Sequence, residues 1–421
     1  MPQYLSPGVY VEEVPSSVKP IAGVGTSTAG FIGIVADNVP MPAIPGRFQT
    51  DQSGAQLRDN QGNPIPVHYS VAPAGQPQLI TSWEAFKTRF GDFDVANQTL
   101  AHAVYGFFNN GGTRCWVSRV AGGGGVTSPP GPGTTRQSVA LTTADTTAVT
   151  AALARFRAID EIAIVSVPGA LDANIQGAII DHCENSGDRF AILDGQRTES
   201  ITPHDIQGGV RSSNYAAAYF PWISTFDPVS GGDITVPPAG HIAGVYALVD
   251  GSRGVHKAPA NTVIRGAVGV EARLSKADQD GLNPAGINVL RAFDGNITVW
   301  GARTLGGDAN AEWKYINVRR LFLFLRKSIE EGTRWVVFEP NDTTLWAKIT
   351  RSVTAFLTNV WRDGALFGTT AAEAFYVKCD EQTNPPEVRD LGHVVTEIGV
   401  AVVKPAEFVI FRITQWAGPG G

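Results

Sequence analysis

Residues 399–416 read GVAVVKPAEFVIFRITQW. Phe408, Val409, Ile410 and Phe411 put apolar groups on both faces of an expected strand, and Ile413 continues it, so this strand suits a place covered on both sides. A strand near a terminus is ordered only where a sheet or docking surface holds it, so a partner strand is implied. A second strand-like stretch, SPGVYVEEV at 6–14, is β-branched and aromatic at Val9, Tyr10, Val11 and Val14, behind a proline that suits a strand start. Pattern alone leaves two readings: docking within the chain, the default, or donation to neighbouring copies by strand addition.

The 421 residues are enough for two or three domains with a well-buried core. A formal charge of −6 without a long basic run gives no phosphate-binding footprint, so nucleic acid is not an expected partner. Charged residues make up only 17% while glycine reaches 47 residues and proline 27, which points to a loop-rich, β-containing globule. Three widely spaced cysteines, Cys115, Cys183 and Cys379, argue against a disulfide framework or a zinc cluster. No signal-peptide pattern opens the chain and no apolar run reaches about 18 residues, so neither export by a visible signal nor direct membrane insertion is expected.

Working back along the chain, 21–30 (IAGVGTSTAG) reads as a flexible connector and hinge leading to a strand at 31–35. Residues 40–74, dense in proline, glycine, asparagine and glutamine, read as a long surface loop or a poorly specified excursion. Ser82 caps a helix carrying Phe86 and Phe90 and stopped by Gly91; a helix at 99–108 and a strand at 114–120 follow. The run GGGGVTSPPGPG (122–133) reads as linker or exposed tip. Alternating helices and strands from 147, with strands at 162–167, 190–193, 215–223 and 297–301, imply βαβ units on a parallel sheet. Later, Val318, Leu321, Phe322, Leu325 and Ile329 mark a helix closed by Gly332, and 335–338 reads as a strand. Asn341 or Asp342 then caps an amphipathic helix over Leu345, Trp346, Ile349, Val353, Phe356, Leu357, Val360 and Trp361. Its other face gathers Lys348, Arg351 and Arg362 within a sector of roughly 60°, beside Thr344, Ser352 and Asn359. A basic stripe of this kind is either a solvated face or a contact for an acidic partner.

Taken in order, SPGVYVEEV, FFNNGGTRCWVSRV (107–120), GVHKAPAN (254–261), LNPAGINVLRAF (282–293), VWGARTL (299–305) and KPAEFVIFRITQ (404–415) resemble the contractile-tail sheath family. That family comprises phage tail sheaths, R-type bacteriocin sheaths and the sheaths of extracellular contractile injection systems. The resemblance implies an α/β and α+β multidomain fold with a subtilisin-like α/β middle domain. It also implies N- and C-terminal arm strands exchanged between subunits, with Val9, Tyr10, Val11, Val14, Phe408, Val409, Ile410, Phe411 and Ile413 as linking residues. The expected division is an N-terminal arm at 1–22, an α+β region at 23–120, a linker at 121–146, the middle domain at 147–312, a C-terminal α+β domain at 313–403 and a C-terminal arm strand at 404–421. The implied partners are further copies in a helical homo-oligomer, an inner tube protein facing Lys348, Arg351 and Arg362, and baseplate and terminal cap proteins. Assembly in the bacterial cytoplasm, within a phage tail or a released extracellular particle, goes with this picture.

The enzyme alternative is an α/β serine hydrolase. Gly25-Thr26-Ser27 is the nearest approach to a serine-nucleophile context, but it precedes the α/β region, and no histidine sits in a triad-like setting. Nucleotide, zinc and dinucleotide motifs are missing, so no catalytic, cofactor or metal residues are assigned. A third possibility is a tube or fimbrial protein that donates strands without contracting.

Overall fold

A computed structural model describes residues 20–121 and 141–410. The first run holds β1 (Ala29–Ile34), β2 (Ala43–Phe48), β3 (Pro66–His68), β4 (Gln78–Ile80), α1 (Trp83–Phe90), α2 (Gln98–Asn109) and β5 (Cys115–Val120). Then follow α3 (Thr146–Phe156), β6 (Ile164–Ser166), α4 (Ala173–Ser186), β7 (Phe190–Asp194), α5 (Pro203–Gln207), β8 (Ala216–Phe220), β9 (Ile223–Asp227) and β10 (Gly232–Val236). Next come α6 (Ala239–Arg253), β11 (Thr262–Val263), β12 (Ala267–Val270), α7 (Lys276–Leu282), β13 (Ile287–Phe293) and β14 (Asn296–Trp300). The remainder is α8 (Ile316–Gly332), α9 (Thr343–Arg362), α10 (Ala371–Ala374), β15 (Phe375–Lys378), α11 (Pro386–Asp390) and β16 (Glu397–Val400).

The chain divides into two compact units. One comprises residues 24–325 and 403–421, the other 1–23 and 326–402. The larger unit is built on a nine-stranded sheet in the order β11-β14-β13-β8-β7-β6-β1-β5-β4. Its six central strands, β13 to β5, run parallel, and antiparallel strands close both edges. Alternate residues of each strand feed opposite layers: Phe31, Ile164, Ile192 and Tyr219 join one core with α2 and α6, while Ile32, Val165, Ala191 and Ala218 join another with α3 and α4. Burial on both faces is why these strands read as near-continuous apolar runs. The regions expected as separate over 23–120 and 147–312 share this one sheet, because β1 pairs with β5 on one side and β6 on the other.

Three local expectations are corrected. Residues 40–74 do not form an unstructured loop: two turns, Asp51 to Ala55 and Asp59 to Asn63, repeat at eight-residue spacing, each with an aspartate accepting from two backbone N–H groups and a left-handed glycine (Gly54, φ 85°; Gly62, φ 86°). Gln49, Leu57 and Ile65 then donate in a ring, Gln49 to Ile65, Ile65 to Leu57 and Leu57 to Gln49, closing a small lobe beside the two-stranded sheet of β2 and β3. Residues 335–338 are not a strand; a 3-10 turn at Arg334–Val336 takes their place, and Phe338 stands fully exposed at φ 68°. The connector 21–30 is not free along its length, since Thr26 is bonded through both its hydroxyl and its carbonyl.

The smaller unit carries α9, capped by Asp342, whose side chain accepts from Leu345 N. Leu345, Trp346, Ile349, Val353, Phe356, Leu357 and Val360 are buried, as the helical spacing predicts. A sheet of β15 and β16 pairs Phe375 with Val400 and Lys378 with Glu397. Past β16, Phe367 N donates to Ala401 O, and Leu366 bridges Val402.

Candidate functional site

The site is the root of the C-terminal segment in the larger unit. Arg303 enters from the VWGARTL stretch just beyond β14, and Asn288 on β13 fixes its backbone, donating to Arg303 O and accepting from Arg303 N. Its guanidinium, only 3% exposed, grips Glu407 bidentately: Nε to Oε1 at 2.7 Å and Nη2 to Oε2 at 2.9 Å. A planar fork on a carboxylate is the strong, direction-setting form of ion pair. Asn283 Nδ2 adds a bond to Oε1 at 2.8 Å and Tyr315 OH one to Oε2 at 2.9 Å, so both carboxylate oxygens are doubly engaged. Arg303 spends Nη1 on Asn283 O and Asp308, and Lys314 pairs with Asp308 in turn.

Burial opposes the charge on Glu407, yet the bonds from Arg303, Asn283 and Tyr315 outweigh it and hold the carboxyl below its ordinary range. Burial and the adjacent Glu407 push the Tyr315 hydroxyl up to about 12. Four positions before Glu407 the segment is held again: Asn317 Nδ2 on α8 donates to His256 O at 2.8 Å and to Val403 O at 3.4 Å. Four of the stretches singled out in the sequence therefore meet here: GVHKAPAN through His256, LNPAGINVLRAF through Asn283 and Asn288, VWGARTL through Arg303, and KPAEFVIFRITQ through Glu407. They line a groove of about 1080 Å³, with 403–409 forming part of its wall.

Immediately past the clamp, Phe408, Val409 and Ile410 are 69%, 69% and 80% exposed. No strand is formed over 403–410 in the single chain. Val9, Tyr10, Val11, Val14, Phe411 and Ile413 lie outside the described residues. The basic stripe is in place on α9 with Arg351 and Arg362 exposed and Lys348 half-buried, while Ser352, expected beside it, is buried. The clamp itself was not foreseen; its signal was the isolated charges, Arg303 and Glu407, in otherwise apolar or small-residue stretches.

The groups weighed for catalysis are dispersed. Ser27 lies in the connector ahead of β1. His102 faces Asp227 at 3.3 Å, and burial lowers its basicity; His241 is buried on α6, and His182 is buried beside Arg189. Asp194, at the end of β7, accepts from Gly169 N and Ala239 N, the latter at the start of α6, and burial pushes it up to about 7. Burial likewise raises the Cys115 and Cys183 thiols. Among the described residues no group of His, Cys, Asp and Glu is placed to hold a metal ion, and no helix is long and apolar enough to cross a membrane.

Two family models match the chain: the phage tail sheath protein central domain over 140–305 and the phage tail sheath C-terminal domain over 308–415. The tail sheath protein of Vibrio phage KVP40 is 31% identical over 260 residues, which is 60% of this chain and 36% of that protein, so the match spans little more than a third of the phage protein's length. Among solved structures, the PVC sheath complex of an extracellular contractile injection system in its contracted state is 26% identical with a TM-score of 0.71, covering 99% of both chains. The helical sheath of the anti-feeding prophage in its contracted state is 28% identical with a TM-score of 0.70, covering 97% of this chain and 99% of the other. The fold and the matched domains define a tail sheath protein. The chain belongs to the phage tail sheath family, on the branch of folds shared by phage tails and contractile injection systems.

Proposed function

We propose that the chain is a structural sheath subunit that polymerises helically around an inner tube and contracts to drive that tube through a target envelope. The observation that carries this reading is the apolar triad Phe408, Val409 and Ile410, exposed directly after a clamped Glu407. Three large apolar side chains held in water cost free energy unless a partner covers them. A free edge supports this: among the described residues β15 pairs with β16 alone, leaving one edge for a further strand, with Tyr376 and Phe367 exposed nearby in sequence. Donation of 408–416 to such a sheet in a neighbour makes a heterologous contact that repeats without closing, which generates a helix of subunits.

The N-terminal stretch with Val9, Tyr10, Val11 and Val14 is proposed as the second exchanged arm, and the parallel core of the larger unit as the subtilisin-like part. Lys348, Arg351 and Arg362 are proposed to face the inner tube, through contacts weak enough individually to let it slide. Baseplate and terminal cap proteins complete the partners, in a particle assembled in the bacterial cytoplasm and working as a phage tail or an extracellular device. The work comes from the lattice passing between two packings, and no catalytic step is assigned.

Truncation tests this. A chain ending at Glu407 should stay folded by circular dichroism yet form no tubes in electron micrographs, whereas the full chain forms tubes of two lengths. Tubes of ordinary length from the truncated chain would remove donation from the account, and aggregation of the truncated chain would show that the strand docks at home.

A further inference from the structure

The clamp does more than mark where the segment departs. We propose that Glu407 is a positioning residue that commits the terminal strand to another copy by occupying the tether through which that strand would otherwise return to its own chain. This inference rests on the donation reading above. The home sheet is close in sequence: β16 ends at Val400, and Val402 still bridges Leu366. Residues 403, 404, 405, 406 and 407 then separate that bridge from Phe408. Connections of about two to five residues are the common means by which a strand turns back beside its predecessor. A free 403–407 is thus long enough to lay Phe408 onward against the chain's own strands, and a subunit complemented in this way has nothing to donate.

In the structure the tether is held at both ends. Asn317 Nδ2 takes Val403 O at 3.4 Å, a long bond and the weaker hold. Arg303, Asn283 and Tyr315 take Glu407 with four bonds between 2.7 and 2.9 Å, one arm of which is a bidentate ion pair. Pro405 between them adds stiffness by fixing its own φ and offering no N–H. A five-residue tether held at Val403 and at Glu407 cannot also fold into the loop of a hairpin, and Phe408 just beyond it is 69% exposed. The Glu407 side chain keeps part of its surface in solvent, the segment it anchors is peripheral to both cores, and Arg303 retains Asp308 as a counter-ion when the Glu407 charge is removed.

The test uses the full chain carrying Glu407→Gln, which keeps the shape and removes the charge. Below the concentration at which tubes form, amide hydrogen exchange over 408–415 should be fast in the unaltered chain and slowed in the variant, because the released strand docks at home. The concentration needed for tubes should rise roughly ten- to hundredfold, the effect of losing a charge-assisted hydrogen bond that decides between two sites. Fast exchange in both proteins, or tubes from the variant at the ordinary concentration, would overturn the proposal. Tyr315→Phe, which removes one bond and leaves the ion pair, should move both readings the same way by less, and it serves where Glu407→Gln fails to fold. The chain ending at Glu407 runs alongside: tubes from that chain sink donation itself, while a truncated chain without tubes beside an unaffected Glu407→Gln sinks only the clamp.

Discussion

Asp250 on α6 and Arg320 on α8 meet at 2.6 Å with both side chains almost wholly buried, and together they hold Thr26. Thr26 Oγ1 donates to Asp250 Oδ2 at 2.6 Å, and Arg320 Nη2 donates to Thr26 O at 3.0 Å. The Arg320 guanidinium also lies 4.7 Å from the centre of the Tyr246 ring. The connector is therefore pinned at Thr26. Arg320→Met should destabilise the larger unit by about 3–5 kcal/mol, since Asp250 would stay buried without its cation. Thr26→Val removes only the hydroxyl's bond to the Asp250 carboxylate, since the carbonyl that accepts from Arg320 is backbone, and should cost about 1.5–3 kcal/mol. Urea unfolding measures both, and equal midpoints for Arg320→Met and the unaltered chain would show that Asp250 has another source of solvation.

The same lock places a mechanical test. Each residue inserted after Gly23 adds up to about 3.3–3.6 Å of slack ahead of the pinned Thr26. Tubes should still assemble, because neither the arm's pairing nor the lock is altered, but contraction should propagate poorly, since a moving subunit would take up slack before pulling its neighbour. The readout is the fraction of contracted particles after an acid or denaturant trigger. Contraction at the ordinary extent would assign the signal to lateral packing of the bodies instead of the arm.

Helix α6 allows a matched pair of substitutions. A Cβ on Gly244 would come 2.5 Å from Phe107 O and 2.6 Å from Asn110 Cβ, both on or at the end of α2, whereas a Cβ on Gly251 meets nothing within 4 Å. Gly251→Ala should stabilise by about 0.5–1 kcal/mol through the unfolded chain's lost freedom. Gly244→Ala carries the same gain but must push two helices apart, a cost of about 1–3 kcal/mol that reverses the sign. Thermal melting of the two variants side by side reads the difference directly.

Those glycines show where the sequence was legible and where it fell silent. The parallel strands were readable because burial on both faces leaves runs such as 31–35 and 190–193 apolar, and α9 because one face alone is buried. The two-stranded sheet of the smaller unit was not: Tyr376 sits opposite Gly399, and a Cβ there would come 2.1 Å from the Tyr376 ring, so a glycine that looks like a break is the space an aromatic ring needs. The lobe with its eight-residue repeat was hidden by composition, since Asp, Gly, Asn and Pro signal turns, and only the spacing of Asp51-Gly54 and Asp59-Gly62 shows that the turns repeat. The clamp was hidden by distance: Arg303 and Glu407 are 104 positions apart, and no local pattern links two single charges over that separation.

The basic stripe yields the last prediction. Arg351 and Arg362 are exposed and Lys348 half-buried on α9, away from the buried row from Leu345 to Val360, so reversing all three to glutamate leaves that row in place. Surface changes of this kind usually shift stability by about 0.5 kcal/mol or less apiece, and the unfolding midpoint should barely move. Binding to the inner tube should fall sharply in the variant, because three attractions become three repulsions across one contact. For the unaltered protein, raising salt from about 0.1 M to about 1 M cuts the screening length from roughly 10 Å to 3 Å and should bring co-assembly down towards the variant's level. Co-sedimentation of sheath with tube measures both effects. Co-assembly indifferent to the reversal and to salt would leave the stripe as a solvated face and move the tube contact to another surface of the subunit.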